Sequence, residues 1–339
     1  MSIKCLVWDL DNTLWDGILS ENDNVKLKDN VINVIKTLDK RGILQSISSK
    51  NQYDVAMKKL KELSIDEYFL VPKINWNRKS ESLKEIAKDL NIGIDSLAFI
   101  DDQAFERDEV NSVYPEILTV DSRDLDKLLD KEEFIPRFNT VDSSRRREMY
   151  ITDMKRKDIE ENFQGTSNEF LSTLNLKMKI SRATEEDLQR VEELTIRTHQ
   201  LNTTGYTYSY SELKEMLEDP KYIILVAELE DVYGSYGKIG ISLLERDEEK
   251  IRIKLFLMSC RVMSRGVGTV FMSYIIDIAN KEKKKLIAEF IETDRNRIMY
   301  MTYRFMGFKE IQRKGTEVLL ERETFDNIPI PDYVDLNIK

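Results

Sequence analysis

The feature that most constrains the fold is an apolar run, interrupted only by Lys4, that leads directly into a pair of carboxylates. Residues 3–8 read I-K-C-L-V-W, which is typical of a buried strand, and D-L-D-N-T-L follows at 9–14. Side chains two residues apart in an extended chain point the same way, so Asp9 and Asp11 are predicted to face one small volume. A bound cation would relieve the repulsion between them.

A second apolar strand is predicted at 97–100 and ends in Asp101-Asp102. Two strands that each deliver a pair of acids are typical of a site that holds a hard ion such as Mg²⁺ beside a phosphate. Between them, Ser49 follows a predicted strand at 43–47, and Lys79 opens an amphipathic helix. A hydroxyl and an ammonium can bind two oxygens of a transferring phosphoryl group while the metal holds the third. The alternative is that the first acids lie on a solvated turn and the later ones cap a helix.

These motifs resemble those of the haloacid dehalogenase (HAD) superfamily over roughly residues 1–125. The resemblance implies an α/β domain with a Rossmann-like parallel sheet. It implies that Asp9 is the phosphate-accepting nucleophile and that Asp11 is the general acid/base. It also implies a binding site made of the following residues: Thr13, Ser49 and Lys79 for phosphate, and Asp9, Asp11, Asp101 and Asp102 for Mg²⁺.

The spacing of the motifs leaves no room for an inserted cap domain. The gap from 8 to 43 holds only a short flap at 15–18 and one predicted helix at 31–40, and the gap from 49 to 79 is similarly short. Because a lid normally excludes water from a phosphoryl site, an uncapped site is predicted to be covered by another body. That body is either the rest of this chain or a carrier protein.

The composition excludes several classes of protein. The chain has 339 residues, of which 41% are hydrophobic, and this favours two domains with ample cores. No apolar run approaches a membrane span, and the first predicted strand begins too early to leave room for a signal peptide. A formal net charge of −10 argues against nucleic-acid binding. The two cysteines, one inside the first strand, predict a reducing, cytoplasmic location.

Four segments are predicted from the changes in pattern along the chain. They are a HAD-like domain at 1–125, a helical connector at 126–175, a second domain at 176–325 and a tail at 326–339. The connector has mixed charges and an intermittent apolar stripe, which favours a packed helix over a loose tether. After it, Thr184 and Asp187 form a capping-box-like pattern at a helix start.

The second domain contains a strand that runs into a glycine-spaced loop and then a helix. The strand is predicted at 251–258, the loop reads S-C-R-V-M-S-R-G-V-G at 259–268, and the helix is predicted at 270–280. Such a loop at a helix N-terminus offers backbone N–H groups to a pyrophosphate or a phosphopantetheine phosphate. The alternative is an ordinary structural turn between strand and helix.

This pattern is similar to the GNAT acyltransferase fold, a mixed α/β domain, over about 176–325. The similarity implies that Arg265, Gly266 and Gly268 bind a carrier's pantetheine arm. It also implies that Tyr303, which lies shortly before a Gly-Phe pair, protonates the departing thiolate. Met263 stands where the family has Gln or Arg, which departs from the acetyl-CoA-binding pattern.

Cys260 and His199 are two further candidates for acyl transfer. Cys260 lies in the loop itself, and His199 is the only histidine in the chain. A cysteine beside an imidazole or a helix N-terminus can be held as thiolate and accept an acyl group. The alternative is a half-buried structural cysteine and a histidine that only forms hydrogen bonds.

The two halves together look like the FkbH-like family. The strings that carry this resemblance are I-N-W-N-R-K-S-E at 74–81, F-I-D-D-Q-A-F-E-R-D-E-V at 99–110, R-T-H-Q-L-N-T-T at 197–204 and D-V-Y-G-S-Y-G at 231–237. The resemblance implies an enzyme that dephosphorylates 1,3-bisphosphoglycerate and loads a glyceryl unit, through an enzyme thioester, onto a phosphopantetheinylated acyl carrier protein. Cys260 would carry the acyl group and His199 would act as its base. Many members of that family have Cys-Ser-Lys-Asn where this chain has Ser48-Ser49-Lys50-Asn51. If that cysteine is the one that bears the acyl group, either Cys260 serves in this chain or the chemistry stops at dephosphorylation.

Three hypotheses for the function follow. The first is this bifunctional glyceryl, or related hydroxyacyl, transferase. The second is a simple Mg²⁺-dependent phosphatase whose second domain only docks a carrier protein. The third is a GNAT N-acyltransferase that acts on a sugar amine in surface polysaccharide synthesis. Acylation of Cys260 separates the first two, and dependence on acyl-CoA would support the third.

Overall fold

The computed structural model describes residues 3–138, 140–198 and 200–339, and the chain divides into two compact units. One unit ends at Ile151 and the other begins at Thr152. Both are α/β, which confirms the predicted fold class. None of the helices in the described ranges combines the length and the apolar composition that a membrane crossing requires.

The first unit alternates strands with helices. Its strands are β1 (Cys5–Trp8), β2 (Trp15–Asp16), β3 (Lys26–Leu27), β4 (Leu44–Ser49), β5 (Lys73–Ile74), β6 (Leu97–Asp101) and β7 (Leu118–Asp121). Its helices are α1 (Val31–Lys40), α2 (Tyr53–Glu62), α3 (Lys79–Asp89), α4 (Ala104–Val113) and α5 (Val141–Ser144). Helix α1 has the predicted bounds, and α3 begins at Lys79 as predicted.

Five of these strands form a parallel sheet in the order β5-β4-β1-β6-β7. All four residues of the central strand β1 are buried. Leu6 and Trp8 pack in a core with α1 and α2, whereas Cys5 and Val7 pack in a second core with α3 and α4. The sheet is therefore covered on both faces, as parallel sheets usually are. Because β1 lies between β4 and β6, the carboxyl ends of these three strands meet at one edge, which is the usual place for a ligand in such sheets.

The second unit is built on an eight-stranded mixed sheet in the order β13-β14-β12-β11-β10-β9-β8-β15. The strands are β8 (Leu176–Arg182), β9 (Tyr222–Asp231), β10 (Gly234–Arg246), β11 (Lys250–Met258), β12 (Lys285–Ile291), β13 (Phe308–Lys314), β14 (Glu317–Arg322) and β15 (Val334–Ile338). The helices are α6 (Arg146–Asn162), which contains the boundary, and α7 (Ser167–Thr173), α8 (Leu188–Arg197), α9 (Tyr210–Glu218), α10 (Val267–Glu282) and α11 (Arg297–Phe305). The β11–β12 and β8–β15 pairs are parallel and the others are antiparallel.

The segment 326–339, which the sequence analysis separated as a tail, contributes a strand to the second sheet. Strand β15 pairs with β8 with Val334 opposite Leu176, and Val334 is buried in the core of this unit. Leu336 packs against the same core. These two apolar side chains alternate with polar ones, and that period of two is the sequence signal for the strand.

The predicted connector at 126–175 is divided between the two units. Leu128 and Phe134 are buried in a core of the first unit. Phe170 and Leu171, from α7, are buried in the core of the second. The apolar side chains of the segment 126–175 pack in the cores of the two units. The structure therefore assigns each half of this segment to its neighbouring unit.

Candidate active site

Three carboxylates meet at the carboxyl edge of the first sheet. Asp9 follows β1 directly, and its N–H donates to the carbonyl of Ile100 in β6 at 2.9 Å. Asp101 ends β6 and Asp102 follows it. One oxygen from each of Asp9, Asp101 and Asp102 lies within 4.8 Å of the others. The two strands thus bring together acids from two sequence motifs, as predicted.

Lys79 lies among these carboxylates and is 3% exposed. Its Nζ donates to Asp9 Oδ1 at 2.5 Å and to the carbonyl of Ser48 at 2.6 Å, and it lies 3.3 Å from Asp101 Oδ2. Burial alone would lower the pKa of Lys79, but Asp9 and Asp101 raise it overall. The ammonium is therefore held as a fixed positive charge in the site.

The two buried carboxylates repel each other. Burial raises the pKa of Asp9, although Lys79 opposes the effect. Burial, and then the charge of Asp9, raise the pKa of Asp101 to about 7. A second cation would favour the ionised form of both groups.

The residues present fit Mg²⁺, which takes oxygen ligands. Within the described ranges, Asp101 Oδ2 is buried, accepts no hydrogen bond of good geometry and lies 3.3 Å from the Lys79 ammonium. Asp9, Asp101 and Asp102 could each give one oxygen to the ion. Asp11 was predicted as a fourth ligand, but among the described residues it is not part of this carboxylate group.

The Asp11 side chain is instead held by three donors from its own unit. The indole Nε1 of Trp15 donates to Asp11 Oδ1 at 2.8 Å, and the backbone N–H of Leu19 donates to the same oxygen at 3.0 Å. The amide of Asn51 donates to Asp11 Oδ2 at 2.9 Å. Sequence reasoning missed Trp15 and Asn51 as site residues. The available signal was their spacing from predicted site residues. Trp15 lies four residues after Asp11, and Asn51 lies two residues after Ser49.

The three predicted phosphate ligands occupy different positions. Lys79 faces the carboxylates, and Ser49, at the end of β4, is 3% exposed and accepts a long hydrogen bond of 3.4 Å from Asn51. Thr13 is fully buried; its hydroxyl accepts from the N–H of Asp102 at 2.9 Å. Thr13 therefore orients Asp102, and its role in binding phosphate stays a prediction.

Ser48, Lys50 and Glu106, which are neighbours of the predicted residues, also line this edge of the sheet. Ser48 is 1% exposed and presents its carbonyl to Lys79. Lys50 forms an ion pair of 2.6 Å with the buried Glu106 at the start of α4. Since Lys50 follows β4 and Glu106 follows β6, this pair reaches across the end of β1.

In the second unit, the predicted pantetheine loop is partly covered by other parts of that unit. Residues Cys260–Arg265 form a 3-10 helix that precedes α10. Arg265 is 5% exposed and its Nη1 donates to Glu160 of α6 at 2.9 Å. Gly266 has a φ of +71°, and a Cβ there would lie 2.5 Å from the hydroxyl of Tyr333. Gly268 has room for a Cβ, 3.8 Å from Met258.

The edge of β11 next to this loop is also occupied. Strands β11 and β12 pair only between 250–253 and 285–288. Beyond that point Thr203 lies between them: its N–H donates to the carbonyl of Phe256 at 3.1 Å, and its carbonyl accepts from the N–H of Ile291 at 3.0 Å. Thr203 thus bridges the diverging strands, so an extended ligand cannot pair with β11 there.

Of the remaining predicted residues of acyl transfer, Cys260 and Tyr303 lie among the described residues. Cys260 is half-buried and packs against the core of the second unit. His199 lies outside the described residues. Tyr303 is 1% exposed, its ring packs 5.1 Å from that of Phe308, and burial raises the pKa of its phenol. Tyr303 is a core residue in this structure.

No family model matches the chain, and no curated protein matches it either. One similar solved structure is the N-terminal part of a protein from Bacteroides fragilis that contains a phosphatase domain and is complexed with Mg. It is 28% identical, with a TM-score of 0.32, over 37% of this chain and 38% of that one. The alignment therefore spans well under two thirds of that relative.

Two other similar structures are acetyltransferases. The ribosomal-protein-S18-alanine N-acetyltransferase from Escherichia coli is 14% identical over 43% of this chain and 95% of that one, with a TM-score of 0.35. An N-acetyltransferase from Thermoplasma acidophilum, in complex with coenzyme A, is 15% identical over 43% and 99%, with a TM-score of 0.36. Parts of this chain are thus similar to a phosphatase domain and to acetyltransferases. Because these TM-scores are below 0.5, the interpretation of the site depends on its own geometry.

Proposed function

We propose that the first unit is a Mg²⁺-dependent phosphatase that works through an aspartyl phosphate on Asp9. The observation that carries this proposal is the placement of Lys79 against Asp9 Oδ1 and Asp101 Oδ2 within a group of three carboxylates. A buried ammonium and buried acids at the carboxyl edge of a parallel sheet are suited to binding and transferring a phosphoryl group. A merely structural ion pair would not need the third acid.

In this proposal the Asp9 carboxylate attacks phosphorus, and the bond from phosphorus to the leaving oxygen breaks. Asp11 gives a proton to that oxygen, then takes one from the water that attacks the aspartyl phosphate and releases phosphate. Lys79 and Ser49 bind the phosphoryl oxygens. Mg²⁺, held by Asp9, Asp101 and Asp102, would neutralise the charge of the phosphoryl oxygens.

We further propose that the chain loads an acyl group onto an acyl carrier protein. The Cys260 thiolate would attack the acyl carbon of 1,3-bisphosphoglycerate or a related acyl phosphate, with phosphate as the leaving group. The first unit would remove the remaining phosphate ester. The pantetheine thiol of the carrier would then attack the thioester and release Cys260. The half-buried position of Cys260, on a turn before α10, and the FkbH-like resemblance support this step.

The second hypothesis, a phosphatase with a carrier-docking unit, has an observation in its favour. Arg265 is 5% exposed and its Nη1 donates to Glu160, and a Cβ at Gly266 would lie 2.5 Å from the hydroxyl of Tyr333. An arginine that is buried in an ion pair is better suited to a structural or docking role than to gripping a pantetheine phosphate.

Intact-protein mass spectrometry tests the proposal. The protein is incubated with Mg²⁺ and freshly generated 1,3-bisphosphoglycerate. We expect a hydroxylamine-labile glyceryl adduct on the wild type, a phosphoglyceryl adduct on Asp9→Asn, and neither on Cys260→Ala. Cys5→Ala is the matched control, because Cys5 is fully buried in β1 and should leave the adduct unchanged.

Each other outcome has a definite meaning. Phosphate release without any acyl adduct would favour the phosphatase with a docking unit. An unmodified wild type that releases no phosphate would contradict both versions.

A further inference from the structure

The Asp11 carboxylate is held in one orientation by side chains that the phosphatase mechanism does not otherwise use. Both side-chain donors are buried: Trp15 is 0% exposed and Asn51 is 5% exposed. They come from two different elements, since Trp15 lies in β2 and Asn51 lies between β4 and α2. A carboxylate clamped from two sides cannot turn without breaking a hydrogen bond to a charged group, which is among the stronger kinds.

The hydrogen bonds distinguish the two oxygens of Asp11. Oδ1 accepts from Trp15 Nε1 and from the N–H of Leu19, so both of its acceptor positions are occupied. Oδ2 accepts only from Asn51 among the described residues. One acceptor position therefore remains, and it is on Oδ2.

We infer that Trp15 and Asn51 are positioning residues that make Oδ2 of Asp11 the oxygen that moves the proton. This inference rests on the proposed phosphatase function. As the bond from phosphorus to the leaving oxygen breaks, the proton on Oδ2 passes to that oxygen. In the second half-reaction, water gives a proton to Oδ2 while its oxygen bonds to phosphorus and the bond from phosphorus to Asp9 breaks.

The two half-reactions depend differently on this proton. An alcohol is a poor leaving group and needs the proton, so its departure should depend on the orientation of Asp11. A carboxylate that leaves from an acyl phosphate needs none. Hydrolysis of the aspartyl phosphate needs Asp11 as a base whichever substrate formed it.

The experiment compares glycerol 1-phosphate with acetyl phosphate, both with Mg²⁺, in the full-length protein. Trp15→Phe keeps an aromatic ring and removes only the N–H donor, and Asn51→Ala removes the amide. For each variant we expect kcat/KM for glycerol 1-phosphate to fall about tenfold or more, as the loss of a hydrogen bond to a charged group predicts. For acetyl phosphate, kcat/KM should stay within about twofold, and mass spectrometry should show a larger steady-state fraction of aspartyl phosphate.

Trp8→Phe is the matched control. Trp8 is also fully buried in the first unit, and its indole donates to Gln45 Oε1 at 3.2 Å, away from Asp11. This variant loses a buried indole hydrogen bond of the same kind. It should not change the ratio of the two kcat/KM values.

Equal losses on both substrates in Trp15→Phe and Asn51→Ala would overturn the inference, as would the same split in Trp8→Phe. If Trp15→Phe does not fold, Asn51→Ala still decides the matter, because the other hydrogen bond of Asn51, to Ser49, is long at 3.4 Å. A wild type that turns over neither probe and forms no aspartyl phosphate would instead contradict the proposed function itself.

Discussion

At the scale of single residues, the site is a balance between buried charges of opposite sign. Lys79 is the cation that Asp9 and Asp101 share, and all three side chains are nearly or fully buried. Burial, and then the charge of Asp9, raise the pKa of Asp101 to about 7, and the single ammonium of Lys79 only partly opposes this. A second cation in the site would favour the ionised form of both carboxylates.

We expect Mg²⁺ to stabilise the first unit, because the ion binds the folded site and not the unfolded chain. At a hundredfold excess over Kd the free energy of unfolding should rise by about 2.7 kcal/mol, measured by urea denaturation with and without the ion. Asp102→Asn should lose most of this increase. Asp39→Asn is the control: Asp39 pairs with Arg147 at 2.9 Å, so this variant loses an ion pair elsewhere and should keep the increase. The same increase in wild type and Asp102→Asn would contradict the metal site.

At the scale of elements, the string D-V-Y-G-S-Y-G at 231–237 fixes α6 to the turn between β9 and β10. Arg156 of α6 is 1% exposed, and its Nε and Nη2 donate to the two oxygens of Asp231 at 2.7 and 2.8 Å. Tyr236 donates to the same carboxylate at 2.9 Å, and its ring lies 3.7 Å from the guanidinium. The carbonyl of Gly234 accepts from Nη2 at 2.9 Å. The string therefore has a structural role in the second unit.

Arg156→Ala should destabilise the second unit by about 3–5 kcal/mol, because it leaves the Asp231 carboxylate buried without its cation. Urea denaturation followed by circular dichroism measures the change. The matched control is Lys157→Ala on the same helix. The Lys157 side chain is 76% exposed, and its ion pair with Glu161 is long, at 3.8 Å. Its loss should therefore cost less than about 1 kcal/mol. Similar effects of the two substitutions would show that the buried pair does not fix α6.

At the scale of the whole molecule, each unit has cores of its own. The parallel sheet of the first unit lies between two cores, one on each face, and the mixed sheet of the second unit has its own pair. Units with separate cores usually behave as domains that can unfold independently.

We therefore expect denaturation to show two transitions instead of one. Mg²⁺ should move only the transition of the first unit, and Arg156→Ala should move only that of the second. Calorimetry with both perturbations assigns the transitions. A single transition that both perturbations move together would mean that the units unfold as one cooperative body.

The sequence by itself determined the features that have a local period or a local chemical cause. The burial of Cys5–Trp8, the helix at 31–40, the helix start at Lys79 and the capping box of Thr184 and Asp187 all follow from patterns a few residues long. The acids after two buried strands predicted a shared carboxylate site in the same way. The alternation in β15 was equally local, although no strand was predicted there.

Tertiary structure alone decided which side chains touch. Asn51 contacts Asp11 across 40 positions of sequence, Thr13 contacts Asp102 across 89, and Arg265 contacts Glu160 across 105. These pairs changed the roles of predicted residues: Thr13 became a support for Asp102, and Arg265 became part of an ion pair. Such contacts depend on strand order and register, which are set by the packing of the whole unit, so no short pattern in the sequence encodes them.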